Sequence, residues 1–187
     1  MPTANAARRY GAVAQLLHWT IAALIVLQFV LAKWAARLPL GMEKLGLLAR
    51  HKSFGMTILA LAVLRLGWRV FHPAPPLPAT AGRTVRGAAR AMHASLYALL
   101  FAMPLSGWLM SSAKNYSVSW FGLFTWPNLI GPNESAFGAL RRIHHGLGTA
   151  LLILAVLHVL AALKHHFLDK DDVLLRMLPR VKPRSPR

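Results

Sequence analysis

Long apolar runs alternate along the chain with short stretches rich in Arg and Lys. Four runs cover about residues 16–34, 51–68, 92–110 and 143–163, and the first contains Ile21-Ala22-Ala23-Leu24-Ile25-Val26-Leu27-Gln28-Phe29-Val30-Leu31. Each comes close to the ~20 residues that carry a helix across the hydrocarbon of a bilayer. The runs are helix-sized rather than strand-sized. The pattern therefore predicts an all-α membrane protein, a bundle of four transmembrane helices. The first run follows Arg8 and Arg9, as the core of a cleaved leader would, but it is long for one and three more spans follow it. It is read as a retained helix. Pro104 should kink the third span locally, which a bundle tolerates if the freed carbonyl finds another partner. His72-Pro73-Ala74-Pro75-Pro76-Leu77-Pro78 reads as a stiff loop between the second and third spans. The segment 111–142, with Trp120, Phe121, Phe124 and Trp126, is expected along the outer interface, where amphipathic rings are favoured.

Composition agrees with this division: 56% of the 187 residues are apolar and only 14% charged, well below the quarter usual in a soluble domain. A formal charge of +17 invites a nucleic-acid reading. The cations, however, flank apolar segments and form no single stripe, so they fit membrane topology and anionic lipid headgroups instead. Four spans put both termini on one side. That side, including the loop between the second and third spans, holds fourteen of the 22 Lys and Arg. They are Arg8, Arg9, Arg65, Arg69, Arg83, Arg86, Arg90, Lys164, Lys170, Arg176, Arg180, Lys182, Arg184 and Arg187. The other side holds eight, and the positive-inside rule then places both termini in the cytoplasm.

Cysteine is absent, which excludes disulfides, thiolate-held clusters and thioether-attached haem. Histidine is abundant. Nine occur beside only five acidic residues, and His18, His51, His93, His144 and His158 lie within or at the ends of spans. At such depth a polar side chain is costly unless it pairs or binds something. Any one of them alone could serve by bonding a carbonyl of a neighbouring helix.

His144 and His158 sharpen the picture. Fourteen residues of helix return a side chain to within about 40° of its starting face, after a rise of roughly 21 Å. One helix thus offers a ligand near each membrane surface. Threading the chain in, out, in and out puts His51 and His144 at the outer level, and His18, His93 and His158 at the inner level. Two imidazoles on facing helices can clamp an iron porphyrin from both faces, leaving iron suited to one-electron transfer. The propionates of such a haem need cations. Arg50, Lys52, Arg141 and Arg142 stand outside, with Arg9, Arg65, Arg69 and Arg90 inside; Arg65, set in an apolar run, is the most suggestive, and snorkelling is its ordinary alternative. Gly55, Gly107, Gly146 and Gly148 suit close approach of a haem or, equally, of another helix. His165 and His166 follow the inner face, but adjacent residues cannot both face it, so at least one is read as interfacial; His145 points about 100° away from His144 and is likewise a weak ligand candidate.

With those residues in view, the chain resembles the bacterial cytochrome b561 family, especially its short di-haem members. The resemblance runs over nearly the whole length, as one domain over 1–187. It rests on Arg9-Tyr10, Gln15-Leu16-Leu17-His18-Trp19, Arg50-His51-Lys52-Ser53-Phe54-Gly55, Val63-Leu64-Arg65-Leu66-Gly67-Trp68-Arg69, Ala91-Met92-His93 and Pro104-Leu105-Ser106-Gly107-Trp108. His144 to His158 follow, then Ala161-Ala162-Leu163-Lys164-His165-His166-Phe167, Asp171 and Leu174-Leu175-Arg176-Met177-Leu178-Pro179. The resemblance implies a bacterial inner-membrane protein carrying two b haems and exchanging electrons with ubiquinone. It implies His51 with His144 as ligands of the outer haem and His18 with His158 at the inner one, with His93 either replacing His18 or lining a quinone site. For the short members it implies oxidation of superoxide at the periplasmic face. The alternative is a cytochrome b subunit that links a dehydrogenase to the quinone pool. Haem-free metal transport is disfavoured, because Glu43, Glu134, Asp169, Asp171 and Asp172 all lie outside the expected spans.

Overall fold

The computed structural model describes residues 9–73, 75 and 82–179. Four long helices, α1 (Ala12–Arg37), α2 (Met42–Phe71), α3 (Arg83–Ala113) and α4 (Glu134–Phe167), are each long and apolar enough to cross a membrane. Most of the loop expected from the Pro-rich segment (Ala74 and Pro76 to Pro78) lies outside the described residues, as do Arg8, Arg180, Lys182, Arg184 and Arg187 of the charge count.

The helices outrun the apolar runs that announce them. α3 begins at Arg83, since an Arg-rich turn is helical without being apolar, and it continues unbroken past Pro104. α4 begins where the Asn133 carboxamide oxygen accepts from Ala136 N at 2.9 Å, with Glu134 in the first turn facing the positive end of the dipole. α1 stops before Leu38-Pro39, because a residue preceding proline is pushed out of the helical region.

α1 packs along α2, α3 packs along α4, and α2 joins the two helical pairs. Ile21, Ile58, Ala62 and Leu100 form the buried cluster where α1, α2 and α3 meet, and Leu31, Ala35 and Leu47 seal the far end of α1 against α2. On α4 only Gly148 and Leu151 are buried. Val26, Val30, Val63, Leu64, Ile153, Val159 and Leu160 are exposed, the distribution expected of helices solvated by lipid.

The chain departs from an all-helical fold between α3 and α4. There β1 (Val118–Trp120) and β2 (Phe124–Trp126) pair antiparallel, with Ser119 opposite Thr125. The turn needs positive φ at Phe121 (50°) and at Gly122 (78°), which glycine adopts without strain. The aromatic segment is therefore a folded hairpin bound to α2. Ser53 Oγ donates to Ser119 O (2.9 Å) and accepts from Phe121 N (3.1 Å), and Trp120 Nε1 donates to Thr57 Oγ1 (3.0 Å). This side of the bundle is called the hairpin end. The opposite, terminal end holds the start of α1 and a short fifth helix, α5 (Val173–Met177).

Candidate functional site

Two histidine clusters form, one near each end. At the hairpin end the rings of His51 on α2 and His144 on α4 face each other at 6.3 Å between centroids, 80° apart in plane. At the terminal end His18 on α1 and His158 on α4 repeat that spacing, 6.3 Å and 75°. His93 on α3 reaches the same His158 ring at 5.5 Å and 72°. All five are half-buried.

An imidazole nitrogen binds a first-row metal at about 2 Å, so two rings gripping one ion from opposite faces stand roughly 6 Å apart between centroids. Both pairs meet that spacing. The donor set is neutral nitrogen without thiolate or carboxylate, which suits a b-type haem iron.

Local bonding readies the hairpin-end pair. Ser106 Oγ donates to Met103 O at 2.8 Å, which uses its only proton. The same oxygen lies 3.0 Å from His144 Nδ1 and must accept there, so Nδ1 carries the hydrogen and Nε2 presents its lone pair. Gly107 makes room for the ring: a Cβ there would lie 3.0 Å from His144 Cε1. Across from it, His51 Nδ1 is buried with no hydrogen-bond partner among the described residues, and Gln28 Nε2 donates to the His51 carbonyl at 2.9 Å. Gly55 accommodates Gln28, and Gly148 accommodates Met103; nothing lies within 4 Å of a Cβ built on Gly146. Three of the four glycines thus make room for side chains of the chain itself.

The cations sort themselves by depth. Arg65 Nη1 donates to Ala14 O at 2.8 Å, one turn before His18, and with Tyr10, Arg69, His72 and Tyr97 it lines a small cleft at the terminal end. Arg50 is exposed at the hairpin end. Lys52 is drawn to Ser117 O (2.5 Å) beside the hairpin. Arg141, Arg142 and His145 line an open cleft of about 480 Å³, rimmed by the Lys114–Glu134 ion pair at 2.6 Å. His145 therefore opens outward, away from the His51–His144 pair. His165 is held by Asp171 at 2.7 Å and Asp169 at 3.2 Å, beyond the histidine clusters.

Sequence reasoning missed Ser106 and Gln28 as supports and the contact of α5 with α1. The available signal was a polar side chain inside an apolar run, since Gln15, Gln28 and Ser106 all interrupt otherwise hydrophobic stretches.

Residues 9–180 match the family model described as prokaryotic cytochrome b561. Cytochrome b561 homolog 2 of Escherichia coli (strain K12) is 38% identical over 182 residues, covering 95% of each chain. Cytochrome b561 homolog 1 of the same organism is 30% identical, covering 89% of this chain and 94% of its own. A Yersinia pestis protein named "Probable superoxide oxidase CybB" is 27% identical, covering 92% of this chain and 97% of its own.

Proposed function

The chain belongs to the prokaryotic cytochrome b561 family, and from that premise we propose that it oxidises superoxide and reduces ubiquinone through two b haems. It is a multi-pass protein of the bacterial inner membrane, a haem-binding oxidoreductase that transfers electrons. The observation that carries the finer reading is the 6.3 Å spacing of facing imidazoles, repeated near both ends.

His51 and His144 would hold one haem, and His18 and His158 the other, with Arg50 and Arg65 as propionate partners. When bound, each haem would supply reversible one-electron oxidation and reduction. The chain's own residues do the remaining work. Ser106 keeps the proton of His144 on Nδ1, and Arg65 ties α2 to the start of α1. Arg141, Arg142 and His145 offer a cationic cleft toward which a small anion is drawn. Superoxide gives up one electron and leaves as dioxygen; two such losses, with two protons, convert ubiquinone to ubiquinol. In this reading residues 1–187 act as one four-span domain, with the termini in the cytoplasm and the hairpin end in the periplasm, following the charge bias.

The likeness to a protein named as a superoxide oxidase supports that donor. The test is to mix the detergent-purified, haem-loaded protein with an enzymatic superoxide source and a soluble ubiquinone. Quinol should form far faster than in the protein-free mixture. A protein that is inert alone, yet reduced by a co-purifying dehydrogenase, would instead be the electron-transfer subunit of that enzyme.

A further inference from the structure

The terminal end poses a choice that the hairpin end does not. His158 faces two imidazoles, His18 at 6.3 Å and His93 at 5.5 Å, and one iron accepts only one of them opposite His158. His93 sits on α3, which packs along α4 and so stays near His158 by that packing. His18 sits on α1, which packs chiefly on α2. Something else must bring the first turns of α1 to α4.

The segment after α4 does this. Its turn is fixed to the end of α4: Asp171 N donates to His165 O (3.0 Å), His165 Nδ1 lies 2.7 Å from the Asp171 carboxylate, and Val173 N caps on Asp171 Oδ1 (3.0 Å). α5 is stiffened by the Asp172–Arg176 ion pair at 2.7 Å, both side chains being nearly buried. Its carbonyls then take hydrogen bonds from α1 and the residues before it. Gln15 Nε2 donates to Arg176 O (3.1 Å), Trp19 Nε1 to Met177 O (2.9 Å), Arg9 Nη2 to Leu178 O (2.9 Å) and Tyr10 N to Arg176 O (3.3 Å). Gln15 and Trp19 bracket His18 in the sequence, and the Trp19 ring lies edge-on to the His18 ring at 5.2 Å.

We infer that this C-terminal clasp decides which imidazole pairs with His158, and that Gln15 and Trp19 are the positioning residues that present His18. The inference rests on the reading of these histidines as haem ligands. With the clasp intact, α1 is held against the end of α4 and His18 is the ring presented to His158. With it broken, the start of α1 follows α2 alone, and His93 is the partner that stays beside His158.

The test compares the parent protein with a Gln15→Leu/Trp19→Phe variant, which keeps apolar bulk but removes two donors, and with Trp19→Phe alone in case the double variant does not accumulate. Haem content, low-temperature electron paramagnetic resonance and a redox titration are read for each. The terminal-end haem should change its resonance signature and its potential by up to the equivalent of tenfold, about 59 mV for one electron. The hairpin-end haem should not move. Adding His93→Ala to the clasp variant should remove the substitute and halve the haem content, whereas His93→Ala alone should keep both haems. The clasp has no such role if these variants leave the terminal-end signature and potential as in the parent, or shift both haems alike. His18→Ala separates the two layers of inference. If it leaves the terminal-end haem unchanged in amount and spectrum, the ligand reading itself fails and takes the inference with it. If it alters that haem while the clasp variants stay silent, only the clasp is overturned.

Discussion

At the hairpin end one histidine faces one histidine, and each is supported from its own surroundings. Ser106 fixes the proton of His144, Gly107 clears space for its ring, and Gln28 anchors the backbone carbonyl of His51. At the terminal end three imidazoles share the space, and the support comes from far along the chain, through α5 and the carbonyls of Arg176 and Met177. Under the proposed haem reading, the first arrangement would specify a ligand pair by local chemistry, the second by closing the chain on itself. Local specification would have no redundancy. Remote specification would leave a spare imidazole.

That difference predicts unequal responses to the same substitution. His144→Ala should remove the hairpin-end haem outright and halve the haem per protein measured as the pyridine complex, because no other imidazole faces His51. His18→Ala should lose far less, since His93 already stands 5.5 Å from His158. Equal losses in the two variants would erase the distinction. The next largest effect belongs to Ser106→Ala. It removes the acceptor that holds His144 Nδ1–H, and loss of such an outer partner typically weakens metal binding about 10–100-fold. Transfer of haem to a soluble acceptor protein should then accelerate from the hairpin end only.

Gly107→Ala is gentler. Its new methyl would meet His144 Cε1 at 3.0 Å, close enough that the ring must shift by a few tenths of an ångström. The expected result is a retained haem whose potential moves by less than the ~59 mV that corresponds to tenfold. A potentiometric titration that left the hairpin-end haem untouched would mean that the ring has slack which the packing does not reveal.

The parts of this molecule legible in its sequence are those dictated by a bulk solvent. Hydrocarbon demands about 20 apolar residues per helix, so four runs announce four helices. It also penalises unpaired imidazoles, so His51 and His144 stand out at one depth and His18, His93 and His158 at the other. Features that depend on one group meeting another were harder to read. Trp120, Phe124 and Trp126 look the same whether they lie in an aromatic belt or in a β-hairpin, and only the turn at Gly122 with the Ser53 bonds distinguishes the two. Ser106 is a hydroxyl in an apolar run until the facing helix supplies His144. α5 is five residues long, too short for periodicity to reveal, and its role lies in carbonyls that every residue type carries. The Asn133-Glu134 start of α4 was readable from capping chemistry, but it is hidden when only apolar length is counted.

The smallest predicted effect separates the two ends by pH. Each end carries an exposed ion pair on its connecting turn, Lys114–Glu134 at the hairpin end and Lys164–Asp169 at the terminal end, at 2.6 and 2.7 Å. The hydrogen bond to Glu134 raises the Lys114 ammonium above its ordinary range, while the hydrogen bonds from Lys164 hold the Asp169 carboxyl below its own. A raised lysine stabilises the fold fully below its unfolded value of about 10.4, and this contribution is lost as pH climbs through the folded value. A lowered carboxyl stabilises above its unfolded value of about 3.9, and this is lost as pH drops through the folded value. Lys114→Gln should therefore melt slightly earlier than the parent at neutral pH, with the gap closing in strong alkali. Asp169→Asn should show a gap that closes in acid. Both gaps will be small, because exposed pairs are screened by solvent and salt. Melting curves across pH whose gaps stay constant would show that neither turn draws on its ion pair for stability.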